Sequence, residues 1–379
     1  MEREPLRADN NKSRPDMAGC GTGNLPTLNT KEVKEMKAVV IHEFGAFDVL
    51  KYEEFPTPEP KPGNILIKVL AAGVNRFDHY IREGSVVPAL PFPHILGADV
   101  AGEVAALGEG VTGFEIGERV VPITGYPMDE NDADVHPGSA APSYGVIGLH
   151  RQGAYAQYLE VPARWVLKDD TGLSPVEVAT LPMGAATAVR AVKSLGEIGA
   201  GDKVLITGGS SGVGTFQIQL AKALGAEVAT TVRSDRKGEA VRALGADLVI
   251  NTREQDLVER VQDWTAGRGV DVVVDNLGGE YVAKGIDALR GQGILVAVGF
   301  VAGLEVSFDI RNFFFGQKQI RGALAADIHE LRTGLDFVRD GKIKPAFDRA
   351  LPLQEAAEAH RLVANNEVTG TVVLLPWTA

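Results

Sequence analysis

A glycine-rich stretch, "GGSSGVG", lies between an apolar run and an amphipathic one. Gly209, Gly212 and Gly214 fit the pattern G-x-x-G-x-G, with Ser211 where dinucleotide-binding fingerprints usually have their second glycine. Such glycines let the backbone approach a pyrophosphate, and the amides that open the next helix attract its charge. The sequence therefore predicts a coenzyme-binding turn, with a tight turn that holds no ligand as the alternative. The residues of the predicted turn are Gly209, Ser210, Ser211, Gly212, Val213 and Gly214.

The end of the next apolar strand, "TTVRSDRK", indicates which dinucleotide binds. An acid at this place accepts hydrogen bonds from a ribose 2′-OH, whereas a 2′-phosphate is bound by cations and hydroxyls. No acid precedes Asp235 in the stretch, and Arg233, Ser234 and Lys237 are within reach of a phosphate. NADP(H) is therefore the predicted coenzyme. We interpret Asp235 as the N-cap of a helix that begins near Arg236.

These motifs lie in a region, from about residue 164 to 307, where apolar strands alternate with helical stretches. The alternation predicts an α/β fold with a doubly wound parallel sheet. Before it, residues 36–163 carry short apolar runs separated by Gly and Pro, which predict a mostly β domain. Residues 308–379 contain helical segments and a closing strand, "TGTVVLLP", that we expect to return to the first domain. Residues 1–35 are expected to be a disordered arm or an artefact of the sequence's start.

The composition limits which kinds of binding partner are expected. A net charge of −12 and a pI of about 5.2 argue against nucleic acid and anionic membranes, so we expect a small-molecule ligand. The single cysteine, Cys20, excludes a disulfide framework and a thiolate zinc site within one chain. It also favours a reducing compartment, and we expect a cytoplasmic protein. No apolar run approaches the roughly 18 residues that span a bilayer.

Four segments, in this order, resemble landmarks of one known family: "AAGVNRFDHYIREG", "GGSSGVG", "GADLVINTREQDLVERV" and "VDNLGG". From Met36 to Pro376 the chain resembles the medium-chain dehydrogenases/reductases, in particular their zinc-independent quinone oxidoreductase branch, the zeta-crystallin-like family. The resemblance implies a GroES-like, mostly β catalytic domain and a Rossmann NADP-binding domain with a cleft between them. It also implies a homodimer joined through the Rossmann sheets.

Zinc-dependent alcohol dehydrogenases share the implied fold, and a catalytic zinc needs three protein ligands and one open position. By the resemblance, Asn75 stands in the place of the first cysteine ligand and Ala98 in the place of the histidine ligand. We therefore predict no metal. An insert at about 122–150 stands where those relatives carry a structural-zinc lobe, but it contains no cysteine. Its stretch "DENDADVH" is interpreted as a solvated acidic loop, with a hard-cation site as the alternative.

Without a metal, hydrogen bonds must stabilise the oxyanion that forms when a hydride adds to a conjugated acceptor. The resemblance implies that Asn75 and Tyr80 line the cleft near the nicotinamide, and we predict that both are catalytic. The alternative for Tyr80 is a packed aromatic side chain. Arg82 is a further candidate donor, but we interpret it, with Asp78, as an internal ion pair.

The resemblance implies further coenzyme contacts, with Lys237 at the 2′-phosphate. Thr252 stands where many relatives have a tyrosine that stacks toward the adenine, which leaves the packing there open. The other implied contacts are Thr187 at the nicotinamide carboxamide and Asn276, Gly299 and Phe300 at strand ends.

The sequence thus predicts NADPH-dependent, metal-free reduction of quinones or α,β-unsaturated carbonyls by direct hydride transfer. The alternative from another class is a non-catalytic, crystallin-like NADPH-binding protein. Within enzymes, an enoyl reductase and an alcohol dehydrogenase-like oxidoreductase compete with it.

Overall fold

The computed structural model of the chain describes residues 34–378. The expected N-terminal arm thus lies outside the described residues, except for its last two positions. Folded structure begins with a strand at Glu35, one residue before the predicted start at Met36. No helix in the described part of the chain is long and apolar enough to cross a membrane.

The first region is mostly β, as predicted. Among the described residues of this region, one α-helix, α1 (Arg76–Glu83), interrupts the strands. The strands are β1 (Glu35–Ile41), β2 (Lys51–Pro56), β3 (Asn64–Val74), β4 (His94–Ile95), β5 (Asp99–Leu107), β6 (Arg119–Pro122), β7 (Gly125–Pro127), β8 (Tyr144–Val146), β9 (Tyr158–Pro162) and β10 (Val166–Lys168).

The second region alternates strands and helices. Its helices are α2 (Pro175–Val178), α3 (Leu181–Val189), α4 (Gly212–Ala223), α5 (Asp235–Ala243), α6 (Leu257–Trp264), α7 (Glu280–Ala288), α8 (Ile310–Phe315), α9 (Ile328–Arg339) and α10 (Ala356–Ala364). Its strands are β11 (Lys203–Ile206), β12 (Glu227–Val232), β13 (Leu248–Asn251), β14 (Val270–Asp275), β15 (Leu289–Ala297), β16 (Gln319–Gly322), β17 (Phe347–Pro352) and β18 (Thr371–Leu375).

Six parallel strands form the predicted doubly wound sheet in the order β13-β12-β11-β14-β15-β16. The sheet continues past the predicted end at residue 307, because β16 adds a sixth strand at its edge. Strand β14 is buried at every position, as expected for a strand with helices on both faces of its sheet. Val273, Ile286 and Leu295 belong to the apolar core on which α6 and α7 pack. The strand order reverses between β11 and β14, so the crevice at this switch point is where ligands bind in such sheets.

The antiparallel sheets belong mainly to the first region. Strands β2, β1 and β4 form one sheet, and a seven-stranded sheet runs β10-β6-β5-β3-β18-β17, with β9 also paired to β3. Strand β18 is antiparallel to β3 and parallel to β17, so the last part of the described chain completes the sheet of the first. Just before β18, the Gly370 N–H donates to the Ser210 carbonyl at 3.1 Å. The glycine-rich turn is therefore bonded to the segment that leads into β18 of the antiparallel sheet.

Candidate functional site

The glycine-rich turn follows β11 at the switch point, and its glycines are required by close packing. A Cβ atom on Gly209 would lie 2.1 Å from Oγ1 of Thr230, and one on Gly214 would lie 2.5 Å from the carbonyl oxygen of Gly208. Both distances are far below van der Waals contact. The turn therefore brings α4 against the sheet in a way that larger residues do not allow.

The start of α4 leaves amides available to an anion. Ser211 is the N-cap, and its hydroxyl accepts the Gly214 N–H at 3.0 Å. The N–H groups of Gly212 and Val213 have no acceptor among the described residues, as is usual in the first turn of a helix. These amides and the helix dipole suit a pyrophosphate. The structure thus brings the predicted turn residues together at the start of α4.

The side chain of Asn276 is engaged within the fold. Its Nδ2 atom donates to the Thr207 carbonyl at 2.8 Å and to Oε1 of Gln217 at 2.7 Å, and its Oδ1 accepts from Gln217 at 3.0 Å. Neighbouring Asp275 accepts the Thr207 hydroxyl at 2.6 Å. These bonds tie the ends of β11 and β14 together. Asn276 therefore shapes the crevice wall, and a direct coenzyme contact from its amide group would have to break this network.

Basic side chains gather beyond β12. Nζ of Lys237 donates to the carbonyl of Asn366 at 2.8 Å, and Arg76 donates to the Asn366 side-chain oxygen at 2.7 Å. Burial and the neighbouring cations lower the pKa of Lys237. The cations that lower it are Arg236, Arg76 and Arg233, against one carboxylate, Asp348. Sequence reasoning missed Arg76, which is distant in the chain from the other three.

The helix after β12 starts one residue earlier than predicted. Ser234 has extended backbone angles and is the N-cap, so the interpretation of Asp235 as the cap is wrong. Asp235 lies in the first turn, and its carboxylate accepts from Nδ2 of Asn251 at 3.3 Å. Near Thr252, where the resemblance implies a tyrosine in many relatives, the hydroxyl of Tyr281 lies 3.4 Å from the Thr252 hydroxyl. An aromatic ring from α7 therefore stands beside that position.

Tyr80 of α1 contacts the segment that follows β15 of the parallel sheet. Its ring stacks on Phe300 with 5.2 Å between centroids and 24° between the planes. Phe300 follows β15 and stays exposed, and Gly299 before it packs so closely that a Cβ atom would lie 2.3 Å from the Asn276 carbonyl. Burial raises the pKa of the half-buried Tyr80 hydroxyl. The hydroxyl therefore stays protonated as a hydrogen-bond donor.

Asn75 is the N-cap of α1 and is half-buried. Its Nδ2 atom donates to Oδ2 of Asp99 at 2.9 Å, and the other oxygen of Asp99 accepts the Met183 N–H at 2.7 Å. Burial raises the pKa of the Asp99 carboxyl to about 8. Sequence reasoning missed Asp99; the acid directly after Ala98 was the available signal.

Asp78 of α1, Tyr155 and His360 form a buried hydrogen-bonded cluster. This cluster differs from the predicted ion pair between Asp78 and Arg82. The Asp78 carboxylate accepts the Asn75 backbone N–H at 2.8 Å and the Tyr155 hydroxyl at 3.1 Å. His360 lies 3.2 Å from the same hydroxyl, and burial lowers its pKa to about 3. Burial raises the pKa of Asp78 to about 7.

Arg82 pairs instead with the next residue, Glu83, at 2.9 Å, and its guanidinium lies 4.4 Å from the centre of the Phe47 ring. The predicted pair is wrong because Asp78 is the third residue of the helix and forms a capping box with Asn75. Arg82 is fully buried in the described structure. It is therefore not a donor to a substrate in the cleft.

Thr187 lies in α3 and is 5% exposed. Helix α3 packs against α4 and α9. The predicted contact with a nicotinamide carboxamide stays a prediction.

Where the resemblance implies zinc ligands, the described residues do not fit a zinc ion. Ala98 has no ligating atom, and the Asn75 amide nitrogen is donating to Asp99. Across residues 34–378, no three His, Cys, Asp or Glu side chains converge as metal ligands. The acidic insert also keeps its groups apart: Asp132 accepts the Ser143 N–H at 3.0 Å, and Asp134 pairs with Arg164 at 3.4 Å.

Comparisons with known proteins agree with this architecture. A family model described as an alcohol dehydrogenase GroES-like domain matches residues 61–171, and one described as a zinc-binding dehydrogenase matches residues 212–340. The 2-haloacrylate reductase of a Burkholderia species is 31% identical over 89% of this chain and 98% of that protein. The NAD-dependent alcohol dehydrogenase of Sulfurisphaera tokodaii is 31% identical over 90% and 100%. The human quinone oxidoreductase is 27% identical over 90% and 98%.

Solved structures give the same result. The crystal structure of AibC superimposes with a TM-score of 0.86 at 33% identity, over 92% of this chain and 98% of that chain. A crotonyl-CoA carboxylase/reductase, AntE, in complex with NADP superimposes with a TM-score of 0.81 at 27% identity, over 90% and 95%. The fold, the coenzyme turn and these matches agree, and the chain is an oxidoreductase that belongs to the medium-chain dehydrogenase/reductase superfamily.

Proposed function

We propose that the protein is an NADPH-dependent, zinc-independent reductase of quinones or α,β-unsaturated carbonyls. The observation that carries the proposal is that α1 holds two neutral hydrogen-bond donors, Asn75 at its N-cap and Tyr80 stacked on Phe300, where the resemblance implies a zinc ligand. Among the relatives, the names quinone oxidoreductase and 2-haloacrylate reductase are in keeping with this substrate class. Alcohol dehydrogenases are also among them, so the substrate must be tested directly.

The residues present fit a dinucleotide coenzyme. The amides of Gly212 and Val213 suit the pyrophosphate, and Arg233, Ser234 and Lys237 suit a 2′-phosphate. The carboxylate that an NAD site normally places at the end of β12 is replaced here by this basic group. When bound, NADPH supplies a hydride. Thr187, Gly299 and Phe300 are the proposed contacts on the nicotinamide side.

In the proposed reaction, Asn75 and Tyr80 bind the carbonyl oxygen of a conjugated acceptor. As negative charge develops on that oxygen, the amide N–H and the phenol O–H stabilise it. Conjugation spreads the charge, so two neutral donors are sufficient where a saturated ketone would need a stronger acid or a Lewis acid. The Tyr80 hydroxyl keeps its proton because its pKa is raised by burial.

We expect the purified protein to oxidise NADPH in the presence of 1,4-benzoquinone and simple enones, and to keep this activity after exhaustive chelation. The check is absorbance at the NADPH maximum with a panel of quinones, enals, enones and saturated ketones, together with elemental analysis for zinc. A stoichiometric zinc whose removal abolishes activity and whose return restores it would refute the zinc-independent reading. No turnover with any acceptor would leave the non-catalytic NADPH-binding protein as the better account.

We also propose a homodimer that forms through the Rossmann sheets. Strand β16 is an edge strand whose outer side has no partner among the described residues, and apolar side chains around it are exposed. Exposed edges and apolar patches of this kind usually mark interfaces. The exposed side chains are Leu304, Val306, Ile310, Phe314, Phe315, Ile320 and Leu324.

For the dimer, we expect Phe315→Glu combined with Ile320→Lys to halve the mass measured by light scattering while the circular dichroism spectrum is unchanged. Ile116→Lys is the matched control, because Ile116 is 54% exposed and lies in the first region of the chain. A monomeric parent, or a double variant that stays dimeric, would rule out this interface.

A further inference from the structure

Asp99 joins three elements beside the cleft. It opens β5, its Oδ2 atom accepts the Asn75 amide at the start of α1 at 2.9 Å, and its Oδ1 atom accepts the Met183 N–H in the first turn of α3 at 2.7 Å. The residue is 1% exposed. Both carboxylate oxygens are thus engaged by donors, one from the helix that carries the proposed catalytic residues and one from the helix that carries Thr187.

The sequence around Asp99 makes this arrangement possible. Gly73 of β3 is its partner in the antiparallel pair, and a Cβ atom on Gly73 would lie 2.9 Å from Cβ of Asp99 and 2.5 Å from the Ala179 carbonyl. Glycine therefore leaves room for the carboxylate to reach α3. Met183 is the third residue of that helix, so its N–H has no acceptor within the helix and is available to Asp99.

We propose that Asp99 is a positioning residue that holds the Asn75 amide in the orientation that binds the substrate oxygen; this inference rests on the proposed function. The amide nitrogen has two hydrogens, and Asp99 takes one of them. Because the amide group is planar, this bond fixes the direction of the second hydrogen. The terminal torsion of asparagine is otherwise soft, and rotation would present the amide oxygen, which repels an oxyanion.

If Asp99 acted only as a cap of α3, its removal would have a different effect. Its loss would then cost stability, and any effect on catalysis would not depend on Asn75. If Asp99 acts through Asn75, its removal should matter only while the Asn75 amide is present. A double-mutant cycle separates the two roles.

The test uses Asp99→Asn in the parent and in Asn75→Ala, with kcat on an enone and the Kd for NADPH as readouts. Asparagine keeps the size of the side chain but has one acceptor oxygen for two donors. We expect kcat to fall about tenfold in the parent and less than about twofold in Asn75→Ala, with the NADPH Kd changed less than about twofold. Equal losses in both backgrounds would overturn the proposal.

Asp271→Asn is the matched control, because Asp271 is 5% exposed and also accepts several hydrogen bonds, but lies at the amino end of β14. Its kcat should equal that of the parent. If Asp99→Asn does not fold, Asp99→Glu, which keeps the carboxyl group but displaces it, is used in both backgrounds with the same expected pattern. A parent that reduces no acceptor refutes the proposed function and this inference together; equal losses in an active parent refute this inference alone.

Discussion

Asn75→Ala and Tyr80→Phe are each expected to reduce enones about tenfold to a hundredfold more slowly than the parent, the loss typical of one hydrogen bond to a developing charge. Rates on 1,4-benzoquinone should fall less, because the quinone spreads the negative charge over its ring. Both variants should bind NADPH as the parent does, since neither residue belongs to the phosphate-binding groups. Steady-state kinetics with saturating NADPH measure the effect.

The comparison among substrates tests the reason for this loss. Saturated ketones should be poor substrates of the parent, because full alkoxide charge needs more stabilisation than Asn75 and Tyr80 provide. Phe55→Leu is the control, because Phe55 lies in β2 and is not one of the two proposed donors. Its rates should equal those of the parent. If both donor variants reduce enones as fast as the parent, these residues are structural and the assignment is wrong.

The second large effect concerns the coenzyme. The parent is expected to bind NADPH at least about tenfold more tightly than NADH, because a 2′-phosphate forms charge-assisted hydrogen bonds with the cations beyond β12. Arg233→Ala should reduce the ratio between the two Kd values, because it weakens NADPH binding and leaves NADH binding nearly unchanged. Fluorescence titration at two salt concentrations gives the Kd values, and the preference should shrink at higher salt because an exposed guanidinium is screened.

Arg268→Ala is the matched control for this titration, since Arg268 is an exposed arginine paired with Asp271 at the amino end of β14. It should leave the ratio of the two Kd values unchanged. Equal binding of both coenzymes by the parent, or an Arg233→Ala variant that keeps the full preference, would contradict the assignment of NADPH.

The coenzyme turn and the parallel sheet could be predicted from sequence because their signals are local. Glycines at fixed spacing and strands alternating with helices are visible within short windows. The sequence alone does not decide the N-cap of α5, because Ser234 and Asp235 are both favourable N-cap residues. The extended backbone at Ser234 makes Ser234 the N-cap, so the prediction was one residue off.

The parts of the site that were missed depend on tertiary contacts. Arg76 joins the cations near Lys237 only because Asn366, far along the chain, lies between them. The role of Asp99 depends on its contact with Met183, which no periodicity reveals. The spacing of Asp78 and Arg82, four residues apart, is compatible with an ion pair on one helix face. In the structure the Asp78 carboxylate instead accepts the Asn75 backbone N–H in a capping bond.

The position of β18 also sets the order in which the molecule can be assembled. Val372 pairs with Val74, about 300 residues earlier, whereas every strand of the parallel sheet lies within residues 203–322. Contacts of such separation close late and slow the folding of a chain. During synthesis, the parallel sheet can form while the antiparallel sheet still lacks β17 and β18. The glycine-rich turn then receives its bond from Gly370 last, so a nascent chain acquires the coenzyme fold before it acquires a finished cleft.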